Sequence, residues 1–388
     1  MKKIGVITFH DPISYGANLQ CLGLQLYLRS LGYDVRVIDY SMNSYLEYKN
    51  KNKIKRNLIR IYHLVKNPFN FIKYRLNAQK ISREKEKYKK NLNIRNLNFK
   101  QFQKDNYIYS EKKYNTISQL KNDPPKYDVY ICGSDQIWNP NFCEMDDNYF
   151  LSFAPQGKRI SYAPSFGVSS IPFYAKEKYK KNLLGIDYLS IREQTGAKII
   201  NKLIKKEAQI VIDPTFLVNK DEWFKLADKS NIKTPKKYIL TYFIGIDEYI
   251  ENYIAMIKEQ FNDIEIIDLI FDKTSYGPYD FLKLIKNAAF VFTNSFHGVA
   301  FCINMNIPFA VGKTLKDKSK NSAFSRIDDL LNDLELQSRI CDENTQINKE
   351  FLKLDYKPIN KRLEKIVADS KKFLEDSIKN IEKNNKEL

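Results

Sequence analysis

The chain has 388 residues, 43% of them hydrophobic, with 26 Tyr, 24 Phe and a formal charge of +18. This is enough chain and apolar surface for two domains, each with its own core, and it excludes a disordered or fibrous protein. No apolar run nears the roughly 20 residues that cross a bilayer, and MKKIGVITF passes straight into a polar glycine turn, so a cytoplasmic protein without a cleaved leader is expected.

The chain opens as a strand (Ile4–Phe9), a turn (HDPISYGANLQ), a helix (about Asn18–Leu31) and a strand (Val35–Asp39), with Gly32 as the helix stop. Such a βαβ start predicts parallel pairing and a right-handed crossover. The turn is neither a GxGxxG fingerprint nor a P-loop. Its Tyr15 and Gly16 lead into a helix amino terminus and either line a cleft or only reverse the chain.

Residues 49–113 then carry 20 Lys or Arg against 4 acids, so nearly all of the net charge lies in one insert. Apolar residues recur there at helical spacing (Ile54, Leu58, Ile61, Val65, then Phe69, Ile72, Leu76) and predict amphipathic helices. The charged face is either simply solvated or a docking surface for an anionic inner leaflet, where each basic residue is worth about 1 kcal/mol. No nucleic-acid motif accompanies it, and no nucleic-acid partner is expected.

A strand at Tyr127–Cys132 runs into GSDQIWNP. Ser134, Asp135, Gln136 and Trp138 suit a sugar, the carboxylate for hydroxyls and the indole for a ring face; a helix cap followed by a core tryptophan uses the same residues. Strand Arg159–Ala163, helix Pro172–Leu184 and the short strand Tyr188–Ile191 follow. Arg192 at that strand's end either presents its fork of donors to a carboxylate or phosphate, or only pairs with Glu193 or helps cap a helix. Helix Gly196–Lys205 and strand Ala208–Ile212 end at Asp213-Pro214-Thr215, and Leu217–Asn231 is the crossover.

The second half restarts as strand Tyr238–Ile244, helix Glu248–Phe261, strand Ile264–Leu269 and helix Tyr279–Asn287. Its centre is Phe290–Val311, in which the strand Phe290–Phe292 turns through Thr293-Asn294-Ser295 into Phe296-His297-Gly298 and a second apolar run. That places one of only three histidines where ligands bind in open α/β sheets, beside helix-end amides. The alternative is a capping turn whose histidine merely packs. A charged helix, Lys357–Lys386, closes the chain. The expected fold is α/β and GT-B-like: two Rossmann-like doubly wound domains facing a central cleft, residues 1–216 (acceptor side, with the basic insert) and 217–356 (donor side), and a terminal amphipathic helix, 357–388.

Five cysteines (Cys21, Cys132, Cys143, Cys302, Cys341) are odd in number and scattered, which predicts reduced thiols and no metal site.

The ordered set TFHDPISYGANLQCLGLQLYLRSLGYDVRVIDY, YDVYICGSDQIWNP, ISYAPSFG, LSIREQTGAKII, VIDPTFL, TNSFHGVAFCINMNIPFAV and SRIDDLL resembles the polysaccharide pyruvyl transferase family over nearly the whole chain. The resemblance implies transfer of the pyruvyl unit of phosphoenolpyruvate to sugar hydroxyls, usually as a cyclic ketal on a bacterial cell-surface glycan precursor, with release of phosphate. It implies Arg192 and His297 as donor-site residues and Asp135 as a cleft carboxylate. Asn294, Ser295, Gly298, Lys313 and Arg326 complete the expected donor side, and Tyr15, Gly16, Ser134, Gln136 and Trp138 the acceptor side. Some members carry an arginine before the histidine, where this chain has Asn294-Ser295-Phe296-His297; Lys313 and Arg326 follow as the cations to replace it. No cofactor beyond phosphoenolpyruvate as co-substrate is expected, and the acceptor is a glycan or lipid-linked saccharide. A nucleotide-sugar glycosyltransferase on the same fold, or an inactive glycan-binding relative, are the alternatives.

Overall fold

The computed structural model describes residues 1–40, 86–143, 146–245, 248–261, 263–269, 273–313, 324–341, 345 and 347–384. The apolar positions expected to make the insert amphipathic, Ile54 to Leu76, lie outside them.

In the first half, β1 (Lys3–Ile7), β2 (Asp34–Val37), β3 (Val129–Cys132) and β4 (Arg159–Ser161) form a parallel sheet in the order β2-β1-β3-β4. The pair β5 (Ser190–Ile191) and β6 (Gln209–Ile210) continues it through the Ile160–Tyr188 bridge. Helix α1 (Tyr15–Ser30) makes the first crossover. In the second half β7 (Tyr238–Tyr242), β8 (Glu265–Asp268), β9 (Phe290–Thr293), β10 (Phe309–Gly312) and β11 (Ile340–Cys341) take the order β11-β10-β9-β7-β8, all parallel. Each half therefore reverses its winding beside its first strand, between β1 and β3 and between β7 and β9. Asp135 and His297 follow β3 and β9, at these two switch points, where open sheets leave a crevice at the carboxyl edge. This is the expected pair of Rossmann-like units in a GT-B arrangement.

The strands read as unbroken apolar runs because both faces are covered: β3, β7 and β9 are buried at every position. One hydrophobic cluster runs through both halves, from Ile4, Leu22 and Trp223 to Leu240, Val299 and Leu331. The terminal helix α10 (Tyr356–Asn384) adds Leu374, Ile378 and Ile381 to it. It starts on the second half, where the Tyr356 hydroxyl donates to the Ile307 carbonyl (2.6 Å), and crosses back to the first. There the Ile212 amide donates to Ser370 (2.9 Å) and the Tyr27 hydroxyl to Glu375 (2.7 Å). Cys21, Cys132, Cys302 and Cys341 are buried, which keeps these thiols out of contact with solvent.

The described part of the basic insert differs from a peripheral excursion. Helix α2 (Lys89–Asn106) is wedged between the halves, with Phe99 and Phe102 fully buried. Gln103 donates to the His10 carbonyl on the first half (3.0 Å), while Asn98 and Asn106 donate to the Ser275 carbonyl (2.9 Å) and the Tyr279 hydroxyl (2.7 Å) on the second. Burying two aromatic rings outweighs the solvation of a charged face, so this stretch acts as a strut.

Candidate active site

Parallel pairing of β5 with β6 brings the two strand exits side by side. Arg192, leaving β5, donates from Nη1 to Oδ2 of Asp213, leaving β6, at 2.6 Å. The other oxygen of Asp213 accepts from the amide (3.0 Å) and hydroxyl (2.9 Å) of Thr215. Oδ2 also takes the Ser134 hydroxyl at 3.3 Å and lies 3.7 Å from Nε2 of His297, close enough for attraction but not for a formed hydrogen bond. Burial pushes the Asp213 carboxyl up, yet His297, Arg192 and the Thr215 amide more than offset it and hold the group well below the usual carboxylate range. Asp213 is therefore a buried, charged hub, which in the sequence shows only as the polar end of a strand before Pro214.

His297 arrives from the other half. Helix α8 (Phe296–Met305) is capped by Ser295, whose hydroxyl accepts from the Gly298 amide (3.3 Å), so His297 sits in the first turn, where backbone N–H groups lack an intrahelical partner. Its ring rests on Gly16 in the first turn of α1: a Cβ added to Gly16 would stand 1.9 Å from Nδ1. Two helix amino termini, one from each half, thus converge on one imidazole. Only glycine leaves room for it.

The cluster is rich in unspent donors. Nε and Nη2 of Arg192 and Nε2 of His297 are buried without hydrogen-bond partners, as is Oε2 of Glu193. Asp135, held in a left-handed conformation (φ 69°), brings Oδ1 to 3.9 Å from Nη2 of Arg192. Arg192 and Arg326 both lie on the ring of Phe296, 4.5 and 5.7 Å from its centroid. Burial and the like charge of Arg192 lower Arg326 to about 10, with Asp135, Glu193 and Asp213 opposing. Two guanidiniums this close repel each other, and an anion between them relieves that repulsion. Glu193 is buried on the far side, accepting from the Ser165 hydroxyl (2.9 Å) and the Phe166 amide (3.1 Å). Burial raises its carboxyl, and Arg192 and Arg326 counter only in part.

The structure thus assembles Asp135, Arg192, His297, Arg326 and Gly16, and adds Asp213 and Glu193. Several expected contact residues are scaffold instead. Trp138 is fully buried, stacked on Phe150 at 4.9 Å with its indole N–H donated to the Tyr149 carbonyl, so it cannot offer a face to a sugar. Tyr15 is likewise fully buried, stacked on Phe281 at 4.5 Å across the junction of the halves, its hydroxyl on the Tyr276 carbonyl. Ser134 is sealed beneath the cluster between Gln20, the Ala163 carbonyl and Asp213. Asn294 engages both ends of its amide with the Ile244 backbone, and Gly298 gives close packing against Thr293. Gln136 is half-buried and accepts from Asn139 (2.7 Å). Lys313 sits 3.8 Å from Asp328, on the helix that also bears Arg326, and 4.7 Å from the ring of Phe324, that helix's N-cap. Arg192 pairs with Asp213, not with its neighbour Glu193.

The profile of the family described as polysaccharide pyruvyl transferase matches residues 15–311, a span that holds every member of the cluster except Arg326. No curated protein matches significantly. Among solved structures, the chain is similar to a putative UDP-N-acetylglucosamine 2-epimerase from Listeria monocytogenes (13% identity, 98% of this chain and 90% of that one, TM-score 0.46). It is similar also to Arabidopsis thaliana UGT89C1 complexed with quercetin (11%, 100% and 99%, 0.40) and to the E. coli ADP-heptose LPS heptosyltransferase II (10%, 95% and 99%, 0.32).

Proposed function

The chain belongs to the polysaccharide pyruvyl transferase family, and from that premise we propose that it moves the pyruvyl group of phosphoenolpyruvate onto two hydroxyls of a cell-surface glycan precursor, forming a ketal and releasing phosphate. The observation that carries this reading is the buried, donor-rich cluster: two arginines on one aromatic ring and a histidine at a helix amino terminus, with three of their N–H-bearing atoms unpartnered. Phosphoenolpyruvate brings two anionic groups to such a site. The planar fork of Arg192 suits its carboxylate, and Arg326 with the first-turn amides of α8 suits the phosphate. Arg326 comes from the helix Ser325–Asp333 and takes the part of the arginine absent before His297.

The route needs protons in balance. A proton from His297 adds to the methylene carbon and leaves a methyl group and a cationic carbon, which one sugar hydroxyl attacks. Phosphate departs with the C–O bond pair, the second hydroxyl closes the ketal, and the two hydroxyl protons end on the imidazole and on the phosphate. An imidazole, with one nitrogen to donate and one to accept, can serve in both steps. Asp135, half-buried at the opposite switch point, orients the attacking hydroxyl or takes its proton. Asp213 positions both partners, fixing Arg192 through Nη1 while facing His297 from the same oxygen. Phosphoenolpyruvate is consumed as co-substrate, and the acceptor is a saccharide borne on lipid at the cytoplasmic face.

The test is an assay of phosphate release with phosphoenolpyruvate and a panel of pyranosides, run beside nucleotide sugars with the same panel. Release that requires both phosphoenolpyruvate and a sugar is expected. Turnover of a nucleotide sugar alone would replace this reading with ordinary glycosyl transfer.

A further inference from the structure

The sequence pointed to the insert as the charged face of the protein, but among the described residues the exposed aromatic rings gather elsewhere. Phe173 (88% exposed), Tyr174 (77%) and Phe142 (45%) are the three large aromatic side chains left in solvent. They belong to one region. Phe173 and Tyr174 belong to the 3-10 turn that enters helix Lys176–Leu184, and Phe142 lies on the short helix Pro140–Cys143 that follows Trp138. The two segments are stapled together, since Tyr179 on that helix donates to the Trp138 carbonyl (2.8 Å). The turn that carries Gln136 and Asn139 also packs on Gly167, where an added Cβ would stand 2.0 Å from the first and 2.6 Å from the second.

The helix beside the rings is basic. Lys176, Lys178, Lys180 and Lys181 face a single acid, Glu177, and Lys178 alone among them pairs with Asp147 (2.6 Å). Lys176 lies 5.7 Å from the centre of the Phe173 ring. Neither ring contributes to the core, whereas aromatic residues flanked by lysines are the composition that settles at a membrane interface, the rings at headgroup depth and the ammonium groups against anionic lipid.

We propose that Phe142, Phe173 and Tyr174, with Lys176, Lys180 and Lys181, form a docking surface for an anionic lipid bilayer. The contact is a peripheral one; no helix among the described residues is long and apolar enough to cross a membrane. The use of such docking rests on the proposed lipid-borne acceptor, whereas vesicle binding is measured with no substrate present, so the two can fail separately.

The experiment is sedimentation of the full chain with phosphatidylglycerol–phosphatidylcholine vesicles and with pure phosphatidylcholine vesicles, at two salt concentrations. Binding to the anionic vesicles only, weakened by salt, is expected. The paired substitution Phe173→Ser/Tyr174→Ser should lower it about ten-fold, and Lys180→Glu/Lys181→Glu by a similar factor. Leu97→Ser, at a 64% exposed apolar side chain on α2, should leave it unchanged. All these positions are solvent-facing, so the variants should melt with the wild-type chain. Full binding by the double aromatic variant would assign docking to another basic surface and overturn the proposal. Equal binding to neutral vesicles, no vesicle binding, or retention only on an anionic polysaccharide would overturn it as well.

Discussion

His297→Asn should fold and hold phosphoenolpyruvate within a few fold of the wild-type affinity, yet lose roughly 10²–10⁴ of its turnover, the usual scale for a general acid or base. Asparagine keeps much of the size and hydrogen bonding of the imidazole but cannot give up or take a proton at neutral pH. The loss of stability should stay modest, because the cap of α8 is made by Ser295 and Asp213 keeps its ion pair with Arg192. Gly16→Ala is the companion variant. It leaves the imidazole in place chemically but drives it off the surface of α1, where the new methyl would lie 1.9 Å from Nδ1. Displacement by an ångström or so costs on the order of 10²-fold, so this variant should approach the first in rate and melt below the wild-type chain, since over-packing costs about 1–3 kcal/mol against the ~1 kcal/mol that alanine gains over glycine in a helix. Single-turnover rates, melting temperatures and donor affinity on the two variants give the answer. Near-wild-type rates in a folded His297→Asn chain would remove the residue from the mechanism.

Arg192→Lys should raise the apparent Michaelis constant for phosphoenolpyruvate at least ten-fold, together with a fall in turnover. A lysine keeps the charge opposite Asp213, so the fold survives, but a single ammonium cannot hold Asp213 and still present two further donors in a plane. Arg192→Ala is the poorer probe. It strips the 2.6 Å partner from a fully buried carboxylate, and breaking such a pair costs about 3–5 kcal/mol of stability. Loss of activity there would mix unfolding with lost binding. Steady-state kinetics on the lysine variant, with its melting temperature as control, separates the two. An unchanged Michaelis constant would move the donor away from Arg192.

The frame of the molecule was legible in the sequence because parallel strands buried on both faces announce themselves as short apolar runs, and the polar residues that end them mark the carboxyl edge. His297 stood out for that reason. Arg192 stands at a strand end in the sequence, but its partner does not show there: Glu193 accepts from Ser165 and Phe166, and Arg192 meets a residue 21 positions on. Asp213 was hidden by its own second role, since Asp-Pro-Thr reads as a cap and one of its oxygens does cap. Trp138 and Tyr15 could not be sorted between core and cleft from composition, because the rings that cover them, Phe150 and Phe281, are neighbours only in the folded chain. The strut α2 was obscured by charge: its lysines dominate the count, while two phenylalanines decide where it lies.

The measurement that bears most directly on the central claim is a calorimetric titration of the wild-type chain with phosphoenolpyruvate, with inorganic phosphate and with a panel of nucleotide sugars. A site built from Arg192, Arg326 and the amino terminus of α8 should bind one phosphoenolpyruvate per chain more tightly than phosphate alone, because the substrate's carboxylate engages donors that phosphate leaves unused. No heat with phosphoenolpyruvate beside saturable binding of a nucleotide sugar would contradict the assignment.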